Sequence, residues 1–193
     1  MAMLLRLVKS DIWADLDFRT GSDARNFPAQ PLEQIFSIGG TSVWQVNNQE
    51  EIVDTLAISS LGRSTIKDLG YITFDEAALL AIGIKIVKTP GRTVDTIVND
   101  RHRDLKIAKA GHILDLARLA ASANFGSAPA GDLLDVIAEI FQSGRIDKLK
   151  FRQNQKLPSK DAYDKDSALL HWLFGQSHLS FIRTSHSVPP APT

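Results

Sequence analysis

The chain of 193 residues contains no cysteine, which excludes disulfides, thiolate zinc sites and a cysteine nucleophile. A reducing compartment is the expected setting. An excess of charge of one sign is also missing: 22 lysines and arginines meet 22 aspartates and glutamates, so no global positive field gathers nucleic acid non-specifically. No apolar run approaches the ~18 residues needed to cross a bilayer. The segment Leu4–Val8 is too short for the core of a secretory leader. The expectation is therefore a cytoplasmic protein with no membrane partner. Aromatic residues are few, so the rings at Trp13, Phe18 and Phe27 are read as buried anchors for the irregular stretch between Asp11 and Gln34, which Gly21, Pro28 and Pro31 interrupt.

The hydrophobic fraction of 44% and charged fraction of 23% are those of a folded protein rather than a disordered one. The length suffices for one core without staples. No repeat at a fixed period occurs, and no interior linker is polar enough to separate two domains. One globular α+β domain is expected over 1–183. Ser185, Ser187, Pro189, Pro190 and Pro192 mark 184–193 as a flexible tail.

Strands are expected at Leu4–Val8 and at Ser42–Val46, which follows the Gly39-Gly40 turn. Asn48 with Glu51, and Thr73 with Glu76, have the spacing of capping boxes, each opening a helix. The first helix carries Ile52, Val53, Leu56 and Ala57 and ends before Gly62; the second ends at Gly83, placed for a left-handed terminus. From 84 to 108 the pattern predicts a meander: Ile84–Lys88, a turn at Pro90-Gly91, β-favouring Thr93–Val98, then Leu105–Ile107. Beyond Gly111 the period changes. Ile113, Leu116, Ala117 and Ala120 form one helical stripe. Leu133, Leu134, Ile137, Ile140 and Phe141 form another that ends at Gly144, with a break at 124–131 between them. A third helix is expected at about 163–174, from Leu169, Leu170, Trp172, Leu173 and Phe174. The fold class is thus α+β, with a small mixed or antiparallel sheet in the N-terminal half against helices concentrated in the C-terminal half.

Local charge is less even than total charge. Lys85, Lys88, Arg92, Arg101, Arg103, Lys106 and Lys109 face only Asp95, Asp100 and Asp104 within 85–109. Within 145–165, Arg145, Lys148, Lys150, Arg152, Lys156, Lys160 and Lys165 face Asp147, Asp161 and Asp164. Two loops have the ingredients of an anion cup. Ser60-Leu61-Gly62-Arg63-Ser64-Thr65 joins a tight turn, a planar donor fork and two hydroxyls, and Thr89-Pro90-Gly91-Arg92-Thr93 repeats the theme. Neither has P-loop spacing.

The string His102-Arg103-Asp104-Leu105-Lys106 resembles the opening of a protein-kinase catalytic loop. That family requires an asparagine five residues past the aspartate; Lys109 stands there, and no Asp-Phe-Gly or Ala-Pro-Glu follows. The string is read instead as a charged hairpin tip. The histidines at 102, 112, 171, 178 and 186 form no His-Glu-x-x-His and no close helical pair, so no metal and no cofactor is expected. His112 and Asp115 lie one turn apart, spaced for a side-chain hydrogen bond that trims a helix start.

The candidate ligand-binding set is Arg63, Ser64, Thr65, Arg92, Arg101, Arg103, Lys106, Lys109 and His112; no catalytic residue is assigned. The leading reading is a non-enzymatic intracellular binding or regulatory protein that acts through a protein partner or a second copy of itself, by way of the apolar helix at 163–174. Next is a module binding nucleic acid or a phosphate-bearing ligand through the basic segments 85–109 and 145–165, with Phe151 for stacking. Last is an enzyme acting on a phosphorylated substrate, with Arg63, Arg92, Arg103, Asp104 and His112 converging.

Overall fold

A computed structural model describes residues 2–14, 29–36, 41–61, 63, 66–147 and 151. By its internal contacts the chain divides into Met1–Asp147 and Lys148–Thr193, and the elements below belong to the first unit. The expected domain limit at 183, the tail at 184–193, the helix at 163–174, Phe18 and Phe27, and the last three histidines all lie outside the described residues.

The first unit is α+β. Its strands are β1 (Met3–Val8), β2 (Thr41–Val46), β3 (Leu69–Asp75), β4 (Lys85–Lys88), β5 (His102–Lys106) and β6 (Asn124–Ala128). Its helices are α1 (Ser10–Ala14), α2 (Ala29–Ile35), α3 (Gln49–Ser60), α4 (Glu76–Ala81), α5 (Thr96–Asp100), α6 (Ala110–Ser122) and α7 (Ala130–Gln142). The strands form one sheet in the order β4-β5-β2-β1-β3-β6, antiparallel at every junction. Leu5 lies opposite Trp44 on one side and Thr73 on the other, and Trp44 in turn lies opposite His102.

Alternation along the strands assigns the two faces. One face presents Leu4, Val8, Val43, Ile72, Phe74 and Leu105, which pack with Leu79, Ile84 and the α6 stripe Leu116, Ala117 and Ala120 into a single core. The other presents Leu5, Leu7, Ser42, Trp44, Val46, His102 and Asp104; α3 lies against β2 here, and α7 packs on α3. Leu5 and Val46 are fully buried beneath it. Leu133, Ile137, Ile140 and Phe141 of α7 are buried as the sequence stripe requires.

Local chemistry explains where expectation and structure part. At α3, Asn48 Oδ1 accepts from Glu51 N at 2.9 Å, but Glu51 Oε2 accepts from Asn47 N at 2.8 Å, so the box closes one residue early. Replacing Asn48 with alanine is expected to cost about 1 kcal/mol, read as a lower denaturant midpoint. At α4 the cap is not Thr73, which stays in β3. Asp75 takes the role, with Oδ1 accepting from Ala77 N at 2.9 Å, and Gly83 ends the turn at φ +80°.

The β-favouring run Thr93–Val98 is no strand. Asp95 caps α5 through Val98 N at 2.8 Å, and this local bond overrides the strand preference of Thr96, Ile97 and Val98. The meander is therefore a β4–β5 hairpin with a helix inserted in it. The expected break at 124–131 contains β6, an edge strand in which Gly126 faces Tyr71; a Cβ there would collide with the tyrosine ring. The irregular stretch 11–34 contains part of α1 and most of α2, and Trp13 is buried, its Nε1 donating to Gln34 Oε1 at 3.1 Å. No helix among the described residues is long and apolar enough to cross a membrane.

Candidate functional site

On the α3 side of the sheet, a cleft of about 700 Å³ opens where the helix ends. Its floor is sheet: Leu7 of β1, Ser42 and Trp44 of β2, His102 and Asp104 of β5. One wall is the end of α3 with Ser59 and Arg63; the other is the connection leaving β4, with Thr89, Pro90, Arg92 and Thr93. Arg63, from the first loop singled out in the sequence for anion binding, and the Thr89–Thr93 loop thus meet over one piece of sheet. Arg63 and Arg92 are exposed, and neither guanidinium is ion-paired among the described residues. The one carboxylate among its described lining residues, Asp104, is held by Lys106 Nζ at 3.3 Å.

His102 is positioned rather than free. Its Nδ1 lies 2.9 Å from Thr89 Oγ1 and 3.3 Å from Thr89 O, and its ring meets Trp44 edge to face at a centroid distance of 5.4 Å. Trp44 Nε1 and Ser59 Oγ are buried without a partner and sealed from solvent, so a molecule in the cleft reaches neither atom.

The Arg92 loop is fixed by two devices. Asn99 clasps Thr93: Oδ1 accepts from Thr93 N and Oγ1 at 2.8 Å each, and Nδ2 donates to Thr93 O at 2.9 Å. Gly91 runs so close to Asn99 that a Cβ would lie 2.7 Å from the asparagine Cα. That backbone clash has no cheap relief. Gly91→Ala is expected to cost about 1–3 kcal/mol and to displace Arg92, seen together in urea unfolding and ligand titration.

The second device is a charge network beneath the loop. Arg145, just past α7, donates from Nε and Nη2 to Asp95 at 2.6 and 2.8 Å, and from Nη1 and Nη2 to Asp54 of α3 at 2.7 and 3.1 Å. Arg101 adds a contact to Asp54 at 2.9 Å and one to Glu51 at 3.4 Å. Burial pushes the Asp95 carboxyl up, but hydrogen bonds from Arg145 and Val98 and the Arg145 charge together hold it below the ordinary aspartate value. The Arg145 guanidinium is raised, chiefly by its bonds to Asp95.

Of the candidate set, then, the structure brings Arg63 and Arg92 together. Ser64 and Thr65 lie outside the described residues. Arg101 is turned into the network. Arg103, on the opposite sheet face, donates to Asp100 O, His102 O and Gln45 Oε1 at 2.7–2.9 Å. Lys106 holds Asp104, and Lys109 is an exposed cap of α6. His112 sits against Gly83, on the far side of the sheet from the cleft; its expected partner Asp115 is bound by Arg118 instead, at 3.0 Å. In the segment 145–165, Arg145 is internal, and the other cations lie outside the described residues. The sequence singles out Thr89 and Thr93 only as members of the Arg92 loop and gives no ligand role to Trp44 or His102. The signal for His102 was present: a strand over 102–106 puts His102, Asp104 and Lys106 on one face, whereas a hairpin tip does not. Among the described residues, no group of three or more histidine or acidic side chains is placed to hold a metal.

Comparison with protein-family models, curated proteins and solved structures finds no match to this chain.

Proposed function

We propose that this is a non-enzymatic intracellular binding protein whose ligand is a small phosphate-bearing molecule seated in the Arg63–Arg92 cleft. One observation carries the reading: two exposed arginines from separate loops, unpaired among the described residues, converge on a single cleft of about 700 Å³. That volume lies within the roughly 300–1,000 Å³ common for small-molecule sites. Arginine's planar fork matches phosphate oxygens two at a time, and the Thr89 and Thr93 hydroxyls stand on the same wall. The basic run 85–109 does not supply a flat phosphate-tracking stripe, because Arg101 and Arg103 bond inward and Lys88 pairs with Asp100. A compact ligand therefore fits better than a nucleic-acid strand. The reading through protein association rests on 163–174, outside the described residues.

Calorimetric titration with inorganic phosphate, AMP and glucose 6-phosphate, at low and at moderate salt, tests the proposal. Saturable binding of at least one probe, weakening as salt rises, is the expected result. Adenosine and glucose should not bind. Absence of saturable binding by every phosphate probe, or equal binding of the uncharged parents, would overturn it.

A further inference from the structure

A second cleft of about 700 Å³ lies beside the first, at the end of the sheet where β1 stops and β3 begins. Leu7 and Arg63 line both, so the two adjoin at the end of the sheet, with Arg6 on the Ile72 face, opposite the floor of the first. In the wall of the second stands Arg6. Its Nε donates to Gln34 O and its Nη1 to Ser42 O, each at 2.8 Å. Both acceptors are neutral carbonyls, and no carboxylate among the described residues pairs with this guanidinium. Burial lowers its pKa, as expected for a cation deprived of water without a counter-charge.

The surroundings deepen the imbalance. Lys9 and Lys67 line the same cleft, exposed and without an acidic partner among the described residues. The only carboxylate among the described residues lining the cleft, Asp68, accepts from Ala130 N at 2.9 Å at the start of α7. Elsewhere in the unit Arg101, Arg118, Arg145, Lys88 and Lys106 each have a carboxylate, whereas Arg103, like Arg6, bonds to neutral oxygens. Arg6 is part-buried, and cations left without a counter-charge among the described residues repel one another. Among the described residues this cluster has no counter-ion, and an anionic ligand would supply one.

We infer that the ligand carries two separated phosphate groups, one in the Arg63–Arg92 cleft and the other in the Arg6 cleft, with Arg63 standing between them. This rests on the function proposed above and names the class of ligand more closely: a small bisphosphorylated metabolite rather than a monophosphate. Arg6 is the fixed charge of the second subsite, and Lys9 and Lys67 are its outer donors.

Adenosine 3′,5′-bisphosphate against AMP, and glucose 1,6-bisphosphate against glucose 6-phosphate, separate the possibilities by calorimetry. At least one bisphosphate is expected to bind tenfold or more tightly than its parent. The double variant Lys9→Ala, Lys67→Ala, which alters only exposed side chains, should erase that advantage and leave monophosphate affinity unchanged. Arg92→Ala should weaken both. Arg6→Met, checked for folding by circular dichroism, should erase the advantage as the lysine pair does; if it fails to fold, the lysine pair decides alone. Monophosphate binding retained with no bisphosphate advantage, or an advantage that survives loss of both lysines, overturns the second subsite and leaves the first. Loss of all phosphate binding from the wild type overturns the function itself, and the second subsite with it.

Discussion

Replacing Arg145 with alanine is expected to destabilise the protein by about 3–5 kcal/mol, the usual effect of removing one partner from a buried ion pair. The change leaves Asp54 and Asp95 facing each other without their shared cation, and Asp95 is only 2% exposed. For a chain of this size the loss corresponds to a fall in thermal midpoint of roughly 6–20 °C. It is a large part of the ~5–15 kcal/mol that holds a domain together. Arg145→Lys should recover only part of it, because a single ammonium cannot reproduce four guanidinium bonds to two carboxylates.

The same network sets an acid limit. A carboxyl whose folded-state pKa is depressed binds a proton more readily in the unfolded chain. Its stabilisation is present above the unfolded value, about 3.9, and is lost as pH falls below that toward the folded value. Wild-type stability should therefore decline below about pH 4, and Asp95→Asn should flatten the decline. Unfolding in urea at pH 3, 4 and 6 reads both.

The second large effect concerns binding without stability. The double variant Arg63→Ala, Arg92→Ala is expected to lower affinity for the bound phosphate probe by a hundredfold or more. Each charge-assisted bond contributes about 1.5–3 kcal/mol, which is roughly ten- to hundredfold in affinity. The thermal midpoint should stay within about 2 °C of wild type, because both guanidinium groups are exposed and unpaired among the described residues. Arg118→Ala, which removes a surface partner of Asp115 on α6, is the matched control and should change neither quantity. A double variant that binds normally contradicts the assignment of the cleft.

Much of the fold was legible because its signals are local. The apolar stripes of α6 and α7, the cap at Asn48 and the left-handed glycines at 83 and 144 depend on residues a few positions apart, and the structure has each of them. The failures are equally physical. Thr93–Val98 looks like a strand by propensity, and the Asp95 cap that defeats it is secured by Arg145, fifty positions away. Asn124–Ala128 looks like a break because Gly126 has no side chain to pack, but that gap is what admits Tyr71 from β3.

The site divides along the same line. Arg63 and Arg92 were legible as ingredients of separate loops, from their turn residues and hydroxyls. Their meeting was not, because it depends on α3 crossing the sheet to end over β2 and β5. Arg101 and Arg103 show the converse: in sequence they are part of a basic run, and in the fold they serve internal bonds. Arg6 gave no signal in the sequence at all. It lies in an apolar strand that alternation cannot distinguish from one with a surface-facing arginine.

Whether the Arg63–Arg92 cleft receives a phosphate-bearing ligand is read directly from a backbone amide correlation spectrum recorded during titration with AMP and adenosine 3′,5′-bisphosphate. Saturable shifts are expected at Ser42, Arg63, Thr89, Arg92, Thr93 and His102, extending to Lys9 and Lys67 with the bisphosphate alone. A spectrum that does not move, or one whose shifts fall around His112 and Lys109 on the far side of the sheet, would contradict it.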